Sequence, residues 1–237
     1  MPSSRRADSS NTSAPAPSRA GRWCWLGRRP YDPVAALQER LREEVFTGGP
    51  ETLVLVEHDP VITLGRSAAP ENVLVEPERL EAMGVALRHT RRGGDVTYHG
   101  PGQLVGYPVF RLDKGVVAHV TSMAEAILAL LEGLGVKAEF RRSEPGIWVG
   151  NDKVCAFGVH VRRRVAIHGF ALNVATALDA YALIVPCGLK DKGVTSLAAL
   201  TGRTFPLTTL LSRLVVAFET AYGMSLHEVS ADVVAGS

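Results

Sequence analysis

Long apolar runs, net charge and cysteine are all scarce in this 237-residue sequence. No stretch of about eighteen or more apolar residues occurs, which argues against a membrane span. The 26 Lys and Arg against 24 Asp and Glu leave a formal charge of +2, so the totals point neither to nucleic-acid binding nor to disorder. The three cysteines, Cys24, Cys155 and Cys187, have no CxxC spacing, and any disulfide scheme leaves one over. A reducing, cytoplasmic location is therefore expected, with any important cysteine acting alone as a nucleophile. His58, His119, His160 and His227 stand in unrelated contexts, and neither HExxH nor paired-ligand spacing suggests a metal. Residues 1–21 lack the apolar segment of a secretory signal. Their Arg and Ser content with the single acid Asp8 could mimic an organelle transit peptide, but a disordered extension is the plainer expectation.

A hydrophobic content of 46% is enough for one sizeable core, while the length is short for two enzyme domains. The expected organisation is an extension over 1–21, one catalytic domain over 22–225 and a tail over 226–237. Asp32-Pro33 with Val34, Leu37, Leu41 and Val45 reads as a capped amphipathic helix ended by Gly48-Gly49. Thr52–Val56 and Val61–Leu64 read as two strands with a tight connection at Asp59-Pro60, and Gly84–Thr90 and Leu104–Phe110 as further strands. Apolar residues from Val116 to Leu134 recur at three- and four-residue spacing and predict the longest helix, stopped at Gly135. Ile147–Val149 and Val154–Val161 predict a hairpin about Gly150-Asn151-Asp152, and Val165–Val174 a third strand across the basic turn Arg162-Arg163-Arg164. Weak helical character over Val194–Leu200 and a clearer helix over Pro206–Tyr222 follow. Without regular βαβ alternation, this predicts an α+β fold: a mixed, largely antiparallel sheet flanked by helices.

Three segments carry candidate chemistry. Arg91-Arg92-Gly93-Gly94-Asp95-Val96-Thr97-Tyr98-His99 sets paired glycines before donors and acceptors; glycine lets backbone N–H groups approach a ligand, though such pairs also serve plain turns. Lys153 follows a tight turn, where most lysines are simply solvated. Its place at the mouth of the apolar run Val154–Val159 offers partial desolvation, which favours a basic amine. Cys187, between Pro186 and Gly188, sits on a rigid turn and reads equally as a small buried residue or as a nucleophile beside exposed N–H groups.

Together, Arg92–Gln103, Lys153 with Ala156-Phe157-Gly158-Val159, His168–Asn173, Pro186-Cys187-Gly188 and Gly193–Ser196 resemble the octanoyltransferase family of lipoate biosynthesis, the B-type lipoyl transferases. The similarity runs from about Tyr31 to Tyr222. It implies a fold like the catalytic domains of biotin- and lipoate-protein ligases. It also implies that octanoyl leaves an acyl carrier protein, rests on Cys187, and passes to a lysine of lipoyl domains. The acceptors so implied are the E2 subunits of 2-oxoacid dehydrogenases and the glycine cleavage H protein. Lys153 would be the partner base, and Arg92–His99 (Arg92, Gly93, Gly94, Asp95, Val96, Thr97, Tyr98, His99), Ala156–Gly158 (Ala156, Phe157, Gly158) and Gly169–Ala171 (Gly169, Phe170, Ala171) would line the acyl pocket. No cofactor is implied, because the acyl group arrives activated. Cys155 is a second thiol beside the site, open to acylation or oxidation.

Arg141, Arg142 and Arg162–Arg164, near the site segments in sequence, are expected to dock acidic carrier and lipoyl domains, while Lys190 and Lys192 read as solvated. Three other readings stand against the transferase. One is an ATP-dependent ligase, which needs no nucleophilic cysteine. Another is a Cys-His hydrolase using His99 or His168, and the last is a non-catalytic module that holds lipoylated domains.

Overall fold

Strands with apolar residues on both faces need cover on both sides, and helices drawn from both halves of this chain supply it. The computed structural model describes residues 19–185 and 192–236. In chain order the strands are β1 (Ala20–Arg29), β2 (Glu51–His58), β3 (Val61–Leu64), β4 (Ala86–His89), β5 (Val96–His99) and β6 (Gln103–Val109). They continue with β7 (Glu139–Arg141), β8 (Gly146–Val149), β9 (Asp152–Arg162), β10 (Val165–Asn173), β11 (Gly193–Val194) and β12 (Ser225–Glu228). The helices are α1 (Tyr31–Phe46), α2 (Pro77–Ala82), α3 (Gly115–Glu132), α4 (Leu197–Thr201), α5 (Thr208–Tyr222) and α6 (Ala231–Ala235).

The main sheet runs β12-β1-β2-β6-β10-β9-β8-β7, with β11 paired to β9. β1 is parallel to β2 and β12, β11 is parallel to β9, and the remaining pairs are antiparallel. The α+β expectation of a mixed sheet between helices therefore describes the molecule. Alternate strand residues sort the two faces. Leu53, Leu55, Leu104, Phe170 and Leu172 join α3 and α5 in one core, while Val54, Val56, Val105, Val165 and Ile167 join α1 and α6 in the other. A small sheet, β4-β3-β5, buries its own cluster with Leu80 of α2 and Tyr181.

Several expectations shift. Helix α1 starts at Tyr31 behind Pro30 without a side-chain cap; Asp32 lies inside its first turn, where the helix dipole favours an acid, and accepts from Arg88 at 2.8 Å. The tight Asp59-Pro60 connection is present, and it carries the chain from β2 in the main sheet to β3 in the small one. Helix α3 ends at Gly133, ahead of Gly135. By length and composition α3 could cross a membrane, but Met123, Ile127 and Leu131 are buried in the core shared with α5. Residues beyond 225 are more than a tail. β12 covers the outer edge of β1, and Leu226 and Val234 are buried, because an open edge and an apolar helix face both need a partner.

Candidate active site

Lys153 owes its place to a bulge. Ile147 pairs with Cys155 but Trp148 with Lys153, so Val154 is extra on β9 and resets the side-chain alternation. Cys155 then turns into the core with α3 and α5, whereas Lys153 lines a cleft with Ala156 and Gly158. The stem of Lys153 crosses Gly146, where an added Cβ would stand 3.0 Å from Cε. Its Nζ lies 4.7 Å from the centre of the Trp148 ring. The guanidinium of Arg141 and Nζ of Lys192 approach the same ring at 5.0 and 5.3 Å. Trp148 is fixed by donating Nε1–H to the Glu144 carbonyl at 3.1 Å, and Lys192 is ion-paired with Glu144 rather than solvated. Burial raises the Cys155 thiol well above its ordinary pKa, against Lys153 and a backbone hydrogen bond. This second thiol is thus a neutral core residue, not an exposed nucleophile.

The glycine-rich segment closes the cleft as a clamp. Gly93 N–H donates to the Val159 carbonyl at 2.9 Å, so it serves the edge of β9 and is not turned to a ligand. On the other side, Gly65, Arg66 and Ser67 donate backbone N–H groups to the carbonyls of Asp95, Arg92 and Gly94. Arg92 reaches inward: Nη2 donates to the Thr63 carbonyl at 2.6 Å and Nε to Thr63 Oγ1 at 3.1 Å. Asp95 accepts from Asn72 Nδ2 at 2.6 Å.

Between clamp and sheet lies a cleft of about 550 Å3, open mouth included. From the clamp and β5 it takes Arg92, Gly94, Asp95, Val96, Thr97 and His99. From β9 come Lys153, Ala156, Phe157 and Gly158, and from β10 Gly169, Phe170 and Ala171. The strands bring these together because Gly158, Phe157 and Ala156 pair with Gly169, Phe170 and Ala171. A side chain at Gly158 would meet the Gly93 carbonyl at 3.1 Å and Arg92 Cδ at 3.2 Å, so the missing Cβ keeps the cleft open. Gly93 borders a neighbouring groove instead, and Tyr98 alternates away to pack edge-on against Tyr181.

The deep end is aromatic, with the buried Arg92 guanidinium beside it. His58 bridges the Arg29 carbonyl and the Tyr107 hydroxyl at 3.0 and 2.8 Å, and His99 Nδ1 meets Gln103 Oε1 at 2.7 Å. Gln103 Nε2 donates to Asn173 Oδ1 at 2.9 Å, fixing its oxygen toward His99, which therefore carries its proton on Nδ1. Burial pulls His99 and His168 down to about 3 and His58 to about 4; the nearby Arg92 guanidinium adds to the effect on His99 and His168. All three are neutral near pH 7. His168 holds φ at +58°, a left-handed conformation in mid-strand, with its N–H donated to Gln38 Oε1 at 2.8 Å. Tyr31 and Tyr107 are not marked in the sequence because they come from α1 and β6, whose patterns show only core, and His58 reads there as a histidine in an unrelated context. Trp148 was hidden inside a three-residue apolar run.

Cys187 lies outside the described residues, as does Lys190. Arg141 belongs to the Lys153 neighbourhood, but Arg162–Arg164 do not. They turn the far end of the β9–β10 hairpin, roughly 30 Å from Lys153 at the rise of a strand, with Arg163 against Glu43 and Phe46. Among the described residues no three His, Cys, Asp or Glu side chains gather as a metal would need.

This architecture is the fold of lipoate-protein ligases. It superimposes on a lipoate-protein ligase A crystallised with ATP at a TM-score of 0.76, with 19% identity, 92% of this chain and 93% of that one covered. It also superimposes on a bipartite lipoate-protein ligase from Thermoplasma acidophilum, studied with its E2 lipoyl domain, at 0.72, with 20% identity, 92% and 91% covered. At these identities the likeness concerns the fold. Residues 30–219 match the lipoyl protein ligase A/B catalytic domain, and the chain belongs to that family. It is 44% identical to an octanoyltransferase of Caldicellulosiruptor bescii over 212 residues, 86% of this chain and 92% of the relative.

Proposed function

We propose that this protein transfers an octanoyl group from octanoyl-acyl carrier protein to a lysine of lipoyl domains, those of 2-oxoacid dehydrogenase E2 subunits and of the H protein, through a thioester on Cys187. The observation that carries this reading is an amine-bearing side chain, Lys153, at the head of a narrow cleft walled by Val96, Val105, Ala156, Phe157, Phe170 and Ala171. Apolar walls suit an alkyl chain, the histidines beneath are neutral, and the one guanidinium in the lining, that of Arg92, is hydrogen-bonded to Thr63. Similarity to octanoyltransferases supports the acyl length.

In this mechanism neutral Lys153 takes the thiol proton of Cys187, and the thiolate attacks the carrier thioester. The carrier thiolate leaves with the proton returned by Lys153. The neutral acceptor amine then attacks the acyl-cysteine and gives one proton to Lys153, and Cys187 departs as thiolate and takes that proton back, which restores the thiol and the neutral lysine. Thiolate, not thiol, is the nucleophile; an unassisted thiol with a pKa of about 8.5 is only a few per cent ionised at pH 7. Exchange between thioesters is near balance and the final amide is downhill, so no cofactor is called for.

The test is intact mass after mixing protein with octanoyl-carrier protein, without ATP. The expected result is one octanoyl adduct, discharged by a lipoyl domain, absent in Cys187→Ser and strongly slowed in Lys153→Ala. Transfer only after ATP is added, with no adduct on Cys187, would replace this reading by that of a ligase, whose fold the chain shares.

A further inference from the structure

Lys153 stands where the acyl cleft meets a second, wider groove that none of the preceding chemistry uses. The two share Gly94, Asp95, Pro145, Lys153, Phe157 and Gly158 in their linings, so they adjoin, with the amine at the junction. The groove encloses about 1310 Å3 with its open mouth, more than twice the 550 Å3 of the acyl cleft. It runs out past Val159 and Val120 to Val116, which is 43% exposed at the start of α3. Its polar groups are few: the hydroxyls of Ser67 and Ser143, Lys153 at the junction, Asp95, whose carboxylate accepts from Asn72 and from the Val96 N–H, and Glu144, whose carboxylate is already paired with Lys192.

We propose that this groove holds the pantetheine arm of the acyl donor. The inference rests on the proposed transfer from a carrier-bound thioester and adds where the rest of that donor goes. A thioester carbon brought to the junction has its alkyl chain on one side and its thiol component on the other. A closed, apolar cleft takes the first, and a longer open channel must take the second. The arm is a flexible chain of apolar carbons broken by amides and a hydroxyl, and it carries no charge until its terminal phosphate. Valine and phenylalanine walls with isolated hydroxyls match that alternation, since buried amides need a few placed partners rather than ions. An acceptor lysine, a single unbranched side chain, needs no channel of this length. A smaller opening beside Trp148, Lys192 and Val194 also reaches Lys153.

The test fills the outer groove without touching the junction. Ser67→Trp and Val116→Trp would be compared with the wild type on three octanoyl donors: the carrier protein, pantetheine, and the short thiol N-acetylcysteamine. Val216→Trp, at an exposed position of α5, is the control. The expected outcome is a KM raised about tenfold for the first two donors, the equivalent of one lost buried contact set. KM for the short donor should stay within twofold, and the thermal midpoints should not move. Equal effects on all three donors, no effect, or a KM change confined to the acceptor domain would overturn the assignment of the arm to this groove. A wild type that takes octanoyl from none of the three thioesters would instead overturn the transferase reading itself.

Discussion

Gly158 and Trp148 show how much of the site depends on single side chains of opposite size. At Gly158 the absent Cβ is the cleft wall, so Gly158→Val places two methyl groups against Gly93 and Arg92. The expected result is that transfer of octanoyl falls by at least about tenfold while a butyryl donor loses much less, because a shorter chain stops before the obstruction. Equal losses with both donors would mean that the chain does not pass Gly158. Trp148 offers the opposite case. It gives Lys153 a π face at 4.7 Å and holds Arg141 and Lys192 beside it. Trp148→Leu keeps an apolar core but removes the face, which should lower kcat about tenfold with little change in KM, and Trp148→Phe should restore most of it. Gly158 and Lys153 were legible through the family resemblance; local pattern left Lys153 as a turn residue at the mouth of an apolar strand and did not single out Gly158. Trp148 and the His58–Tyr107 pair were not legible, since an aromatic residue in an apolar strand obeys its pattern whatever else it does.

Secondary elements followed the same rule. Long periodic segments such as α3 and α5 and the β9–β10 hairpin were readable because one face must be apolar at a fixed period. Strand β1, with arginine and tryptophan mixed in, and the short β12 and α6 are set by partners distant in sequence, and local pattern does not announce them. The bulge at Val154 belongs to this second kind: only pairing with β8 reveals that Lys153 and Cys155 face opposite ways. The turn joining β9 to β10 carries a local cost. Arg163 and Arg164 hold φ at +51° and +62°, the two-residue geometry that favours Asn-Gly, and a side chain there costs on the order of 1 kcal/mol each. Arg163→Asn with Arg164→Gly should therefore stabilise the protein by about 1–2 kcal/mol in denaturant unfolding, despite losing the Arg163–Glu43 pair, which is exposed and worth little. Because this turn is remote from Lys153, the same double variant should leave acyl transfer unchanged. A marked loss of activity would restore the docking role expected of these arginines.

Four buried histidines, His58, His99 and His168 beside the cleft and His119 on α3, make the whole molecule sensitive to acid. Burial holds His58 and His119 near 4 and His99 and His168 near 3, against an ordinary value of 6.5. In the unfolded chain these imidazoles take up protons as pH falls below 6.5, while in the folded protein they stay neutral. The unfolded state thus binds more protons throughout the window between about 6.5 and 4. Stability contributed by keeping them neutral is complete above that window and is lost as pH drops through it. The loss is up to about 1.4 kcal/mol per pH unit for each histidine. Acting together the four would remove about 5 kcal/mol per unit, a large part of the 5–15 kcal/mol typical of a folded domain. Unfolding free energy should therefore fall steeply between pH 6.5 and 5. His119 isolates the effect from the site: it sits on α3 between Phe110 and Tyr222, with Nδ1 at 3.0 Å from the Tyr222 hydroxyl. His119→Phe keeps the ring packing and removes one proton-binding group, so the slope of stability against pH should shrink by about a quarter, whatever the change in stability at pH 7. A slope identical to that of the wild type would show that His119 titrates alike in both states, and that its burial does not contribute to acid lability.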